Sequence, residues 1–248
     1  MANLRFHTNH PLAVGTIFQL SDSAATHATK ALRLNIGDNV TVFNGDGFDY
    51  GCELIDVHKN KVMASVKSSI QVKNESPLKI TLLQAISSGD RMDFTIQKAV
   101  ELGVTHIQPI ASQRSVVKLS GDRAEKRTEH WQNVAISACE QSGRAFVPEV
   151  SPPLNFSNLF LHLAKVTKAD DCKLTLAPDA KQTLHTLRKP GGEIYLLIGP
   201  EGGLTDAEVE ELKSNNFAVC GLGPRILRTE TAPLYTLAAI SYHFELMR

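Results

Sequence analysis

Apolar runs alternate with helical patterns over the part of the chain that follows Pro77, and this alternation constrains the fold more than any other feature. The first segments are LKITLLQAI, DRMDFTIQKAVELG and VTHIQPI, and the junctions between them are short. Strands that alternate with helices in this way are typical of α/β domains with a parallel sheet. We therefore predict a mostly parallel sheet for this part of the chain.

The same pattern predicts the remaining elements of this α/β part. One helix stops at Gly103 and a second, with Trp131 and Ala135 on its buried face, stops at Gly143. Further strands are predicted over 172–177, 193–198 and 217–222. A last helix is predicted from about Thr231, with Pro233 in its first turn and a core face made of Leu237, Ile240, Phe244 and Met247.

Residues 15–70 have a different pattern, with short β-rich segments and the turn sequence Asn-Gly-Asp-Gly at 44–47. One helix is predicted within them, over 23–34, and the polar link KNESP at 73–77 marks a boundary. The sequence therefore predicts two domains, a small β-barrel or sheet module over 1–73 and an α/β domain over 74–248.

Composition excludes several classes of protein. No run approaches the roughly 20 apolar residues of a membrane span, and the start MANLRFHTNH lacks the apolar core of a secretory signal, so we expect a cytoplasmic protein. The four cysteines lie far apart and the nine histidines show no ligand spacing, so we expect neither a disulfide nor a metal. With 26 basic and 26 acidic residues, bulk charge gives no argument for a nucleic-acid partner.

The stretch LLIGPEGGLTDAEVEEL, 196–212, runs from an apolar strand through a glycine-rich turn into a helix. Thr205 and Glu208 have the spacing of a capping box, which predicts a well-defined helix start. Gly202 and Gly203 indicate a backbone that adopts positive φ or is approached closely.

Three loops are predicted at the carboxyl ends of parallel strands, at 87–91, 199–203 and 221–231, and this is where open α/β sheets bind ligands. The last two share a Gly-Pro step, and on neighbouring strands they would face each other across one crevice. The turn at 199–203 is neither a Walker loop nor GxGxxG. Pro200 removes an amide donor and Glu201 adds negative charge, which disfavours phosphate. S-adenosylmethionine, with an adenine ring and a cationic sulfur, fits such a loop.

Four motifs together resemble a known family. RMDFTIQKAVELGV, ISACEQSGR, LLIGPEGGL and LGPRILRTETA are similar to the RsmE family of ribosomal RNA methyltransferases, which belongs to the SPOUT superfamily. The stretch HATKALRLNIGDNVTVFNGDG resembles the PUA-like domain that these proteins place first. The resemblance implies a PUA-like β-barrel followed by a SPOUT domain with a deep trefoil knot that holds the cofactor.

The resemblance also implies an activity, which is S-adenosylmethionine-dependent methylation of N3 of a single uridine in 16S rRNA of the small ribosomal subunit, by a homodimer. Alternatives are a SPOUT enzyme for another RNA and a noncatalytic rRNA-binding or assembly protein. A nucleotide-dependent oxidoreductase or kinase is disfavoured, because its signatures are absent. The implied cofactor-binding residues are Leu176, Ile198, Gly199, Pro200, Glu201, Gly202, Gly203, Leu222, Gly223, Pro224, Ile226, Leu227, Arg228 and Thr231.

Two of the implied site residues have roles that stay open. The carboxylate of Glu201 either favours the cationic sulfonium or bonds within its own loop. Thr231 either touches the cofactor or, as we favour, caps the last helix.

Methyl transfer to N3 requires an accessible base, alignment and loss of the N3 proton. Arg228 is the candidate donor to uracil O2 or O4, where negative charge develops. Its alternative is a structural pair with Glu230 or a phosphate contact. Glu230 either orients Arg228 or acts as the base.

Candidate RNA-binding residues come from both domains. Glu140 and Arg144 either hold RNA or the partner subunit, or are simply polar residues at the end of a helix. The three basic residues of the N-terminal domain are either RNA contacts or ordinary exposed charges. The candidates are Arg5, Lys30, Arg33, Arg91, Arg114, Glu140 and Arg144.

Overall fold

The structure, a computed structural model, describes residues 4–58, 61–115, 121–187 and 189–246. The chain forms two compact units, one comprising Met1–Glu75 and Ile136–Val147 and the other Ser76–Ala135 and Pro148–Arg248. The boundary predicted after residue 73 stays a prediction. Within the described ranges, no helix is both long and apolar enough to cross a membrane.

The first unit contains a five-stranded sheet. Its strands, in the order β1-β3-β4-β5-β2, are β1 (Arg5–His7), β2 (Ile17–Gln19), β3 (Asn39–Phe43), β4 (Phe48–His58) and β5 (Lys61–Gln71). Among the described strands of this sheet, β1 and β3 pair in parallel and the other pairs are antiparallel. Along β4, Tyr50, Cys52 and Leu54 are buried at every second position, which builds one apolar face. The β-rich character is confirmed, whereas β1 was not predicted and closure into a barrel stays a prediction.

The helix predicted over 23–34 is shorter and less regular than expected. It consists of α1 (Asp22–Thr26) and a π-helical turn at His27–Ala31. The side chain of Ser21 accepts from the Ala24 N–H at 3.2 Å and caps the start of α1.

The second unit contains a seven-stranded parallel path with one extra strand. The elements are β6 (Ile80–Ala85), α2 (Gly89–Glu101), β7 (His106–Ala111), α3 (Asp122–Ser142), β8 (Glu149–Val150), β9 (Leu154–Asn155), α4 (Phe156–Val166), β10 (Cys172–Leu176), β11 (Gln182–Thr183), β12 (Ile194–Ile198), α5 (Asp206–Ser214), β13 (Ala218–Gly221) and α6 (Thr231–Ser241). The last part of α3, residues 136–142, belongs to the first unit. The strand order is β11-β13-β10-β12-β6-β7-β8, and β9 pairs with β7. All these pairings are parallel, so the predicted sheet type is confirmed.

The two central strands explain the continuous apolar runs of the sequence. Every residue of β6 and β12 is buried, as expected for strands covered on both faces. Helices α2 and α6 pack against each other, and Leu237, Ile240 and Phe244 of the predicted core face are buried. Met247, predicted to continue that face, lies outside the described residues.

Candidate cofactor and active site

A cavity of about 600 Å³ lies at the carboxyl ends of three strands in the second unit. Its walls come from residues 176–179 at the end of β10, from residues 198–204 at the end of β12, and from most but not all residues of 220–229 at the end of β13, with further residues from α5. The two Gly-Pro loops do not follow neighbouring strands, because β10 lies between β12 and β13. The end of β10 therefore contributes to the cavity as well.

Most of the residues predicted to bind a cofactor line this cavity. They are Leu176, Ile198, Gly199, Pro200, Glu201, Gly202, Gly203, Leu222, Gly223, Ile226 and Leu227. Pro224, Arg228 and Thr231 are not among its lining residues. The expected cap at Thr231 is wrong, because Thr231 is the first residue of α6, and Glu230 precedes it as an N-cap without a side-chain hydrogen bond.

The start of α5 beside the cavity is fixed by the predicted capping box. The Thr205 side chain accepts from the Glu208 N–H at 3.2 Å, and Glu208 Oε2 accepts from the Thr205 N–H at 2.8 Å. Glu208 is buried, and its Oε1 accepts from the Gln113 N–H at 2.9 Å. One carboxylate thus joins the start of α5 to the segment that follows β7.

Removing this cap has a defined expected cost. Thr205→Ala should lower the free energy of unfolding by about 1 kcal/mol, because the Glu208 N–H loses its acceptor. The measurement is urea unfolding followed by circular dichroism. Ser214→Ala, at the other end of α5, is the control and should change stability by less than about 0.5 kcal/mol. Equal losses in the two variants would contradict a special role for the cap.

The turn after β12 depends on a glycine. Gly203 has φ of +69°, a conformation that side chains other than glycine adopt at a cost. Its N–H donates to the Pro200 carbonyl at 2.8 Å, which closes the turn. Arg114 Nη1 donates to the Gly202 carbonyl at 2.9 Å from outside. Arg114, predicted to contact RNA, therefore supports the turn through its guanidinium.

Glu201 joins this turn to the loop that follows β6. Its Oε1 accepts from the Ser88 N–H at 2.9 Å and from Arg91 Nη1 at 3.1 Å. Burial alone would raise the pKa of Glu201, but these hydrogen bonds outweigh burial and lower that pKa. The link between two loops was not foreseen, and a role of Glu201 toward a sulfonium stays a prediction.

The two predicted catalytic residues have different surroundings. Glu230 Oε2 lies 3.8 Å from Arg91 Nε, and the Glu230 side chain is mostly buried. Arg228 is exposed, and its side chain makes no hydrogen bond or ion pair with any described residue. The structural pair between Arg228 and Glu230 is therefore absent from the described part of the chain.

A buried hydrogen-bond chain connects three elements of the site and was missed by the sequence analysis. Thr229 Oγ1 donates to the Gly199 carbonyl at 2.6 Å and accepts from Gln84 Nε2 at 3.3 Å. Gln84 lies in β6 and is fully buried. The signal was present, because a glutamine within the apolar run LKITLLQAI needs a buried partner.

Arg5 is not available for RNA, which corrects its predicted role. Its side chain is fully buried in the first unit and forms an ion pair with Asp49 at 2.6 Å. Nη1 donates to the Cys139 carbonyl at 2.6 Å, and the guanidinium lies 3.8 Å from the centre of the Phe43 ring. Arg5 therefore ties β1 to β4 and to the end of α3.

Arg144 and Glu140 are likewise occupied within the first unit. Arg144 is buried and makes hydrogen bonds to both oxygens of Glu75, the shortest at 2.7 Å. Glu140 Oε1 accepts from the His7 N–H at 2.9 Å, and burial raises the pKa of Glu140. Arg144 is therefore buried within the first unit and not exposed to RNA, whereas Glu140 is half-buried and its role toward RNA or the partner subunit stays a prediction. Lys30 and Arg33 are exposed, and their role stays a prediction.

Fold and cavity together define the class of this protein. A parallel α/β sheet whose strand ends enclose a cavity of this volume, lined mainly by residues of the loops that follow the strands, is the arrangement of an enzyme that binds a small organic cofactor. Across the described residues no group of three or more histidine, cysteine, aspartate or glutamate side chains is placed to hold a metal ion.

Two family models match the chain. The model described as RNA methyltransferase domain matches residues 74–241, and the model described as RNA methyltransferase PUA domain matches residues 20–67. The chain therefore belongs to this family of RNA methyltransferases and contains its PUA domain.

Relatives with known names and structures agree with this assignment. The chain is 38% identical to the ribosomal RNA small subunit methyltransferase E of Bacillus subtilis, over 97% of this chain and 96% of the relative. The Neisseria gonorrhoeae ribosomal RNA small subunit methyltransferase E, solved with bound S-adenosylmethionine, is 42% identical with a TM-score of 0.87 over 96% of each chain. A Legionella pneumophila protein solved with bound S-adenosylmethionine is 35% identical with a TM-score of 0.90, also over 96% of each chain.

Proposed function

We propose that the protein transfers the methyl group of S-adenosylmethionine to N3 of one uridine in 16S rRNA of the small ribosomal subunit. The observation that carries this proposal is the cavity at the ends of β10, β12 and β13. It is lined by most of the residues that the family resemblance implies for the cofactor. Relatives that cover nearly the whole chain carry the small-subunit methyltransferase name, and one of them was solved with this cofactor.

The residues of the cavity suit this cofactor. A volume of about 600 Å³ lies within the range of small-molecule sites. Leu176, Ile198 and Leu222 offer apolar contacts for an adenine ring, and the turn at 199–203 offers backbone groups for its polar edge. When bound, S-adenosylmethionine supplies an electrophilic methyl group on a cationic sulfur. The cavity walls then serve to exclude water and to align this group with the uracil.

Two residues next to the cavity complete the proposed chemistry. The free guanidinium of Arg228 donates to a uracil carbonyl oxygen, where negative charge develops once N3 loses its proton. Glu230 accepts the N3 proton, and its carboxylate has an oxygen that makes no hydrogen bond with any described residue. The uracil must leave any base pair to bring N3 to these groups.

We further propose the trefoil knot and the homodimer of the SPOUT superfamily. The chain that leaves β13 passes the ends of β10 and β12 and reaches Gln84 of β6 through Thr229, as a threaded segment would. The exposed side chains of Ile226, Tyr235 and Tyr242 offer apolar surface for a second copy. The site of action follows from the proposed substrate, which is the small subunit in the cytoplasm.

The direct test is methyl incorporation from labelled S-adenosylmethionine into small subunits that lack rRNA modification, followed by mass mapping. We expect one N3-methyluridine in 16S rRNA. Because the net charge is zero, nonspecific attraction to RNA is weak, and naked 16S rRNA should react at least about tenfold more slowly than subunits. Cofactor binding without incorporation would refute the proposed substrate, and equal rates on both substrates would refute the preference for subunits.

A further inference from the structure

Arg91 lies in the first turn of α2, with its guanidinium between two carboxylates from two other loops. Nη1 is 3.1 Å from Glu201 Oε1 in the turn after β12, and Nε is 3.8 Å from Glu230 Oε2 in the segment after β13. Three segments that follow different strands of the sheet each contribute one charged group. The sequence predicted that Arg91 contacts an RNA phosphate. It did not predict that Arg91 lies between these two carboxylates.

Each of the two carboxylates has a buried oxygen without a hydrogen bond. Glu201 Oε2 and Glu230 Oε2 are buried atoms that lack a hydrogen-bond partner among the described residues. The 3.8 Å between Arg91 Nε and Glu230 Oε2 allows an ion pair but is too long for a hydrogen bond. Buried acceptors without a donor are rare in folded proteins. Glu230 Oε2 is therefore a buried acceptor that no described donor satisfies.

We infer that Arg91 is a positioning residue that holds the Glu230 carboxylate ready to accept the N3 proton of the target uracil. Arg91 is itself held in place by Glu201, which lines the proposed cofactor cavity. This inference rests on the proposed function. In the step it serves, N3 of the uracil loses its proton to Glu230 Oε2 and forms a bond to the methyl carbon. The bond from that carbon to sulfur breaks with both electrons on sulfur, which leaves neutral S-adenosylhomocysteine.

A phosphate contact and a positioning role differ in what they change. A phosphate contact adds to the affinity for RNA and to its salt dependence, so its loss raises KM for the small subunit. A positioning residue acts on the reacting state through its partner, so its loss lowers kcat. Its effect also disappears once the partner is removed, which a double-mutant cycle measures.

The experiment compares Arg91→Gln, Glu230→Gln and the double variant on small subunits. Arg91→Gln should lower kcat by about 100-fold and change KM and the calorimetric Kd for S-adenosylmethionine by less than about threefold. The double variant should be no more than about threefold slower than Glu230→Gln alone. Arg91→Lys keeps the charge and loses the forked geometry, so it should recover about tenfold of the loss in kcat.

Arg123→Gln is the matched control. Arg123 is an exposed arginine of α3 whose side chain makes no hydrogen bond or ion pair within the described ranges, so this variant should keep the wild-type kcat. Losses in kcat that multiply in the double variant, or a rise in KM with a weaker salt dependence, would overturn the inference in favour of a phosphate contact. Thermal unfolding of each variant identifies misfolding. If Arg91→Gln does not fold, Arg91→Lys is compared with the wild type instead. Wild-type protein that binds cofactor but methylates no subunit would instead overturn the proposed function and the inference with it.

Discussion

Replacement of Arg228 by alanine should lower kcat by about 100- to 1,000-fold, the usual loss when a donor to a developing anion is removed. The calorimetric Kd for S-adenosylmethionine should change by less than about threefold, because Arg228 does not line the cavity. The backbone of Arg228 should stay in place, since its carbonyl accepts from the Thr231 and Ala232 N–H groups at 2.9 and 3.0 Å. The assay is methyl incorporation into small subunits at saturating cofactor.

Arg225 provides the contrast within the same loop. It is exposed like Arg228, but it lines the cavity. Arg225→Ala should therefore raise the Kd for S-adenosylmethionine by about threefold to tenfold and leave kcat within about threefold of wild type. If Arg228→Ala weakened cofactor binding as much as turnover, Arg228 would belong to the construction of the cavity rather than to the chemistry.

Gly199→Ala should weaken S-adenosylmethionine binding by about tenfold to a hundredfold. A Cβ atom at this position would lie 3.2 Å from both Leu204 Cγ and the Leu204 backbone nitrogen. Backbone cannot yield as a flexible side chain does, and overpacking of this kind costs about 1–3 kcal/mol. The expected result is a displaced turn at 199–204 and a distorted cavity, which calorimetry with S-adenosylmethionine measures.

Gly202→Ala is the matched control in the same turn. Its Cβ would meet side-chain atoms of Arg114 at 3.4 Å or more, an ordinary contact that a flexible side chain accommodates. The affinity for S-adenosylmethionine should therefore stay within about threefold of wild type. Equal effects of the two substitutions would show that the close approach at Gly199 does not control the cavity.

Local chemistry was predictable from sequence where it is set by neighbouring residues. The capping box of Thr205 and Glu208, the buried runs of β6 and β12, and the loops after β12 and β13 all follow from patterns within about ten residues, and the structure confirms them. The loop predicted at 87–91 is shorter than expected, because α2 already begins at Gly89. Helix α4 was overlooked, although Phe156, Leu159 and Leu163 have helical spacing. The two-residue strands β8, β9 and β11 are too short to show any periodicity.

Contacts between residues far apart in the sequence were not predictable, because the type of a residue does not show which distant residue it will contact. Arginines at positions 5 and 144 suggested RNA contacts, yet burial beside Asp49 and Glu75 makes them structural. The order of β12, β10 and β13 depends on packing of the whole sheet, so the sequence did not show that β10 separates the two strands that the Gly-Pro loops follow. The role that we infer for Arg91 likewise depends on Glu201 and Glu230, which lie beside it only in the folded structure.

The hydrogen bond between Gln84 and Thr229 has a consequence for synthesis of the protein. Its two residues are 145 positions apart, and Thr229 also holds the carbonyl of Gly199. A chain that is still being translated can form β6 and its neighbouring helix early. The cofactor cavity is complete only after the segment that contains Thr229 has left the ribosome. Affinity for the cofactor therefore reports a finished chain, and an interrupted translation product gains none of the stabilisation that a bound ligand gives.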